Sequence, residues 1–171
     1  MSEAAVEFSR LVALVRIGAE PYRQHIAAGK AERDALARRF DLVSLDRLEA
    51  DIELVREPSG TILLSADFTA AFVQECIVTL DSVPGAVDER FQLRYGPPEA
   101  EEIASSGEDD PAFEPLYGDA IDIGEAVAQE FSLALPPFPR VPDAVVEPAS
   151  SEEAGDGPFA ALAKFHRDEP Q

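Results

Sequence analysis

The clearest pattern in the chain is strict alternation. Leu48, Ala50, Ile52 and Leu54 take turns with Glu49, Asp51 and Glu53. Successive side chains of a strand point to opposite faces, so this period of two predicts a half-buried strand near 47–56. "EPSG" at 57–60 has turn chemistry. The alternation then resumes, with Ile62, Leu64, Ala66, Phe68, Ala70, Phe72 and Cys76 on one face. Thr61, Ser65, Asp67, Thr69 and Glu75 share the other. The two runs predict a hairpin whose second strand lies near 61–76. Val73 and Ile77 place apolar groups on the polar side, which predicts a bulge near 75–77. "SVPGA" at 82–86 reads as a Pro-Gly turn with Gly85 at positive φ. Val87, Phe91, Leu93 and Tyr95 then give a third strand near 86–95. Consecutive strands with one apolar face each predict an antiparallel sheet, and a strand as long as 61–76 predicts that it curls.

Elsewhere the period changes. Residues 8–17, "FSRLVALVRI", read as a first strand with Val12, Leu14 and Arg16 on one side, followed by a break at Pro21 and a short extended piece. "KAERDALARRF" predicts a helix near 31–40, with Leu36 and Phe40 on one face and Arg38 and Arg39 at the negative end of its dipole. Ile123, Val127, Phe131 and Ala134 form a helical stripe over 122–134, with Asp122 and Glu125 spaced as a capping box and "LPPFP" as its stop. This helix is expected to lie on the sheet. The fold class is therefore α+β: a curled antiparallel sheet with two main helices, an acidic loop and a flexible C-terminal tail. The organisation read from composition is one domain over 1–140 with a mobile acidic loop at 97–119. A Pro- and acid-rich linker follows at 141–157, then a short docking motif at 158–171.

Charge changes the picture more than composition does. The net charge is −20, yet residues 1–60 contribute only −2 and residues 61–171 contribute −18. From Pro97 to Glu130 there are eleven acids and no Lys or Arg. Such a field repels phosphate backbones and anionic membranes and attracts basic partners. With 46% apolar residues a core forms without staples. One cysteine precludes an intrachain disulfide and fits a reducing compartment. The N-terminus has neither a secretory signal nor a span, so a cytoplasmic setting is expected.

Candidate chemistry is sparse. Cys76 shares the face of Phe68 and Phe72, which predicts a core thiol whose pKa is raised by apolar surroundings and which is inert. A nucleophilic or metal-bound Cys76 needs partners, and the two histidines, His25 and His166, have no ligand spacing to it. Glu108, Asp109 and Asp110 in "GEDDP" offer oxygen ligands without the alternation of a calcium loop, and read as a solvated acidic surface. Arg33, Arg38 and Arg39, joined by Lys30, form a basic patch without the aromatic interleaving of a base-stacking surface; it reads as a solvated helix face, with an RNA-phosphate contact as the lesser alternative. No catalytic, cofactor or metal motif is present, so no cofactor, metal or small-molecule substrate is expected. In "PFAALAKFH", Phe159, Leu162 and Phe165 lean to one side, a pattern suited to docking onto the chain's own domain or a partner's groove.

Four blocks, "AERDALARRFDLVSLDRLEADIEL", "FTAAFVQECIVTLDSVPGAVDERFQLRY", "IDIGEAVAQEFSLALPPFPR" and "GPFAALAKF", occur in the order seen in the YceD family, the large ribosomal RNA subunit accumulation proteins. The chain resembles an alphaproteobacterial-type member over roughly residues 8–165. The most specific pieces are Cys-x-x-Thr-Leu-x-x-Val, with Cys76, Leu80 and Val83, and the helix start with Asp122, Gly124 and Glu125, all expected to be structural. Many members carry a second cysteine where this chain has Thr79. The resemblance implies a non-enzymatic factor in large-subunit biogenesis that supports 23S rRNA accumulation. The charge adds that its partner is a basic ribosomal protein or an assembly factor, with direct rRNA contact disfavoured. The alternative is a small enzyme or RNA-processing factor using Cys76 or an acidic cluster.

Overall fold

The computed structural model describes residues 7–100 and 110–145. Its centre is the hairpin that alternation predicts. Strand β3 (Ser44–Arg56) pairs antiparallel with β4 (Ile62–Glu75), and β4 with β5 (Ser82–Gly96). The extended piece before the first helix becomes β2 (Tyr22–Ala27), antiparallel to β3. The apolar rows fall where expected: Leu48, Ala50, Ile52 and Leu54 of β3 and the even-numbered residues 62–72 of β4 are all buried.

Helix α1 (Lys30–Arg39) packs on β3, and α2 (Ile123–Ala134) contacts β4 and β5. The expected stripe of α2 supplies Ile123, Val127 and Phe131 to the core. Phe131 meets Phe40 and Phe72 edge-on, with centroids 5.8 and 5.6 Å apart, and Phe68 meets Phe91 in the same way. The other sheet face is polar. His25, Asp51, Asp67 and Arg90 stand in register across four strands; a hydrogen bond joins the His25 ring to Asp51 at 2.9 Å and an ion pair joins Arg90 to Asp67 at 2.7 Å. Asp51 and Asp67 stand directly opposite one another, and the Arg90 guanidinium offsets their repulsion.

Five expectations are corrected. Residues 8–17 are not one strand: β1 is only Leu11–Ala13, and Leu14–Arg16 forms a 3-10 turn. The buried residues there, Phe8, Val12 and Ile17, do not alternate. The sheets are not wholly antiparallel, because β6 (Ala112–Pro115) runs parallel to the end of β5, giving the order β2-β3-β4-β5-β6. That strand and the 3-10 turn Pro98–Ala100 lie within the stretch expected as one loop, 97–119. A second, two-stranded sheet joins β1 to β7 (Ala120–Asp122). The bulge expected near 75–77 is instead an irregularity on β3, between Leu45 and Arg47.

The fifth correction concerns Gly85. It is not at a positive-φ turn but inside β5, directly paired with Phe72. A Cβ at Gly85 would stand 2.5 Å from the Phe72 ring, so the glycine leaves room for that ring to reach Phe131. The turn itself is Cys76–Asp81, and its positive-φ residue is Leu80, at φ 65°.

Candidate functional site

Three places hold the residues that sequence reasoning singles out. The first is the start of α2. Asp122 caps the helix: its Oδ1 accepts the amides of Gly124 at 3.1 Å and Glu125 at 3.2 Å. The same carboxylate accepts the Arg10 amide at 2.7 Å and the Ser9 hydroxyl at 2.5 Å, tying the N-terminal segment to the helix. Gly124 permits that approach, because a Cβ there would lie 2.5 Å from the Phe8 carbonyl oxygen. The expected capping box is incomplete. Glu125 turns instead to Arg39 of α1, in a two-pronged ion pair of 2.9 and 2.7 Å, and Arg39 also reaches Glu7. The Arg39 guanidinium holds the Glu125 carboxyl below the usual carboxylate range. Asp122, Gly124 and Glu125 thus join three segments and present no free chemistry.

Arg39 is therefore unavailable to the basic patch expected on α1. Arg33 is also engaged, donating to the carbonyls of Ala28 at 2.7 Å and Leu45 at 3.2 Å, and Lys30 pairs with Asp34. Arg10 grips Glu32 with both nitrogens, and Glu32 in turn accepts the Gly29 amide at the helix start. Arg10, Arg33 and Arg39 at this end tie segments of the fold together, while Arg38 stays exposed on α1.

The second place is the turn after β4. Cys76 is 0% exposed, as expected of a core thiol, yet β4 ends before it and it stands apart from the main apolar cluster. A thin cover shields it: the turn itself and the strap after α2, where the Ile77 amide donates to the Pro139 carbonyl and Gln74 to that of Pro136. The expectation of a raised pKa is overturned. Hydrogen bonding from the Thr79 side chain outweighs burial, main-chain donors at Thr79, Val141 and Val78 add to it, and the thiol is lowered to about 7. Thr79, where many relatives of the resembled family have cysteine, places its amide 3.5 Å from Sγ. His25 is engaged with Asp51 on the polar sheet face. Among the described residues no group of three or more His, Cys, Asp or Glu is placed to hold a metal ion.

The other two residues of this block are not core. Leu80 is 69% exposed and Val83 half-buried. Leu80 is held outward by its amide bonding the Cys76 carbonyl at 3.0 Å, while the Cys76 amide bonds the Asp81 carbonyl at 2.8 Å. Exposed Ile77 shares the turn, and exposed Phe138 lies on the strap against it. No sequence signal marked Leu80 as an outward residue, because the positive φ was expected at Gly85.

The third place is the acidic side. Of the acids singled out, Asp110 is exposed beside β6, where it and Arg90, Phe91 and Gln92 line an open depression of about 350 Å³. Glu108 and Asp109 lie outside the described residues, as do Phe159, Leu162 and Phe165. Three acids not singled out converge here from separate elements: Glu89 of β5, Glu114 of β6 and Glu130 of α2. Burial, then repulsion from Glu114 and Glu89, raises the Glu130 carboxyl above its usual range. Burial and the charges of Glu114, Glu130 and Asp122 likewise push Tyr95 well above the usual phenol range. Their separation in sequence hid this convergence.

Comparison with known proteins adds one finding. The family model described as "Large ribosomal RNA subunit accumulation protein YceD" matches residues 64–166, more than half of the chain. No curated protein and no solved structure matches. No helix among the described residues is long and apolar enough to cross a membrane.

Proposed function

The chain belongs to the YceD family of large ribosomal RNA subunit accumulation proteins, which ties it to large-subunit rRNA, and on that premise we propose that it acts without catalysis, through protein contacts. The observation that carries this reading is where the positive charge goes. Arg10, Arg23, Arg39, Arg90 and Arg94 each pair with a carboxylate of the chain, and Arg33 and Arg56 donate to main-chain carbonyls. The surplus acids set the field that a partner meets. Phosphate backbones need unpaired cations, whose binding releases counterions, and a field of this sign repels them. A basic ribosomal protein or an assembly factor suits it.

The test is recovery of partners by the tagged full-length protein from cell extract, at low and moderate salt, with and without nuclease. Large-subunit proteins should be recovered after nuclease treatment and lost as salt rises, because the Debye length falls from about 10 Å at 0.1 M to about 3 Å at 1 M. Loss on nuclease treatment, or tight binding of purified protein to bare 23S fragments at physiological salt, would overturn the reading.

A further inference from the structure

Strand β5 spans Ser82–Gly96 and is paired with β4 along its whole length, from Ser82 to Tyr95. On its other side β6 covers only Leu93–Gly96. The edge from Ser82 to Gln92 has no strand beside it among the described residues, and no residue along it is fully buried. An edge of this kind is a template for another strand. The opposite edge strand, β2, is Tyr22–Ala27, about half as long. At the point where β6 leaves β5, the depression lined by Arg90, Phe91, Gln92 and Asp110 continues the line of the sheet.

Charge decides what can lie there. Glu89 is paired with buried Phe68, so it stands on the apolar side of β5, a position where a charge discourages indiscriminate pairing. It makes no ion pair among the described residues, and its charge is felt at Glu130. Asp88 is exposed along the same edge, and the nearest cation of the strand, Arg90, is held by Asp67. A second copy of the chain would add a strand with the same surplus of acids, Asp88 and Glu89 against the single cation Arg90 that Asp67 already holds. A nucleic acid would bring phosphates and lacks the alternating N–H and C=O groups that an edge needs.

We infer that the open edge of β5 receives an extended, Lys/Arg-rich protein segment as an added strand, with main-chain bonds supplying the register and Glu89 and Asp88 supplying the selection for positive charge. This deepens the proposed function and rests on its reading that the chain works through protein contacts.

The probe is a synthetic peptide of alternating lysine and valine, offered to the full-length protein beside the same peptide with every second amide N-methylated. Amide hydrogen exchange should slow at outward-facing amides between Ser82 and Gln92. N-methylation should weaken binding at least about tenfold, since it removes backbone donors while leaving charge unchanged. Glu89→Lys should weaken binding of the unmethylated peptide and leave the melting temperature close to that of the parent. Equal binding of the two peptides, or unchanged exchange along β5, overturns the inference. So does tighter binding of a single-stranded RNA oligonucleotide at the same edge. The two readings fail separately. Protection of β5 by the peptide with no large-subunit protein recovered from extract would leave the edge site standing and remove the function. Recovery undiminished by Glu89→Lys would do the reverse.

Discussion

At residues 122–125 the polar groups described are satisfied within the chain. Asp122 takes four donors, Gly124 accepts the main chain of residues 8–10 at contact distance, and Glu125 is claimed by Arg39. At residues 76–81 an equally tight set of main-chain bonds ends differently, with Leu80 turned to solvent in a backbone conformation that bulky side chains avoid. Both stretches carry the residues by which the family resemblance was recognised. A motif can therefore be spent inside the fold or can build a platform, and only the chain's own contacts tell the two apart. Strain kept at an exposed position is a reason to look for a function there.

Substitutions sharpen or break this contrast. The largest effect is expected from Gly124→Ala. Its Cβ would meet main chain, which cannot rotate away as a side chain can. Overpacking of this kind costs about 1–3 kcal/mol, seen as a drop of several degrees in a thermal melt. A melt like that of the parent would show that the N-terminal segment is not clamped.

Leu80→Asn should act in the opposite direction. Asparagine tolerates positive φ, and an exposed leucine surrenders little burial. A gain of up to about 1 kcal/mol in urea unfolding is expected. A loss of that size would mean that the Leu80 side chain holds the turn, and the contrast would fail.

Thr79→Val should leave stability nearly unchanged at neutral pH and move a titration instead. The folded thiol, near 7, lies below its ordinary 9.0 because of donors that Thr79 leads. The folded state therefore binds fewer protons than the unfolded state between those values. Stability should rise as pH goes from about 7 to 9, and the contribution is lost as pH falls through the folded value. In the variant, thiolate absorbance should titrate higher and this slope should flatten. An unmoved midpoint would assign the shift to the main-chain donors alone.

What the sequence made legible follows from range. The rows of β3 and β4 could be read because burial of one sheet face imposes a period that neighbours share. The stripe of α2 was legible for the same reason. Gly85 misled because Pro-Gly is turn chemistry taken locally, whereas its role depends on the ring of Phe72 across the sheet. Strand β6 was hidden in "AFEP" among acids and prolines, since a four-residue strand has no room for a period. At the candidate site the burial of Cys76 follows from the alternation, but its place outside the main apolar cluster and its pKa depend on donors that only the closed turn aligns. The meeting of Glu89, Glu114 and Glu130 is long-range in the same sense.

The small sheet of β1 and β7 has a consequence in time. Leu11 is paired with Asp122, so β1 has no partner until more than a hundred further residues have been synthesised. Closing so long a loop costs entropy that a three-residue pairing repays only once the larger sheet and α2 are already in place. The N-terminal segment is then a latch, shut last and opened first. In stopped-flow experiments Asp122→Ala should speed unfolding and scarcely slow refolding; slowed refolding would put the latch in the folding nucleus instead.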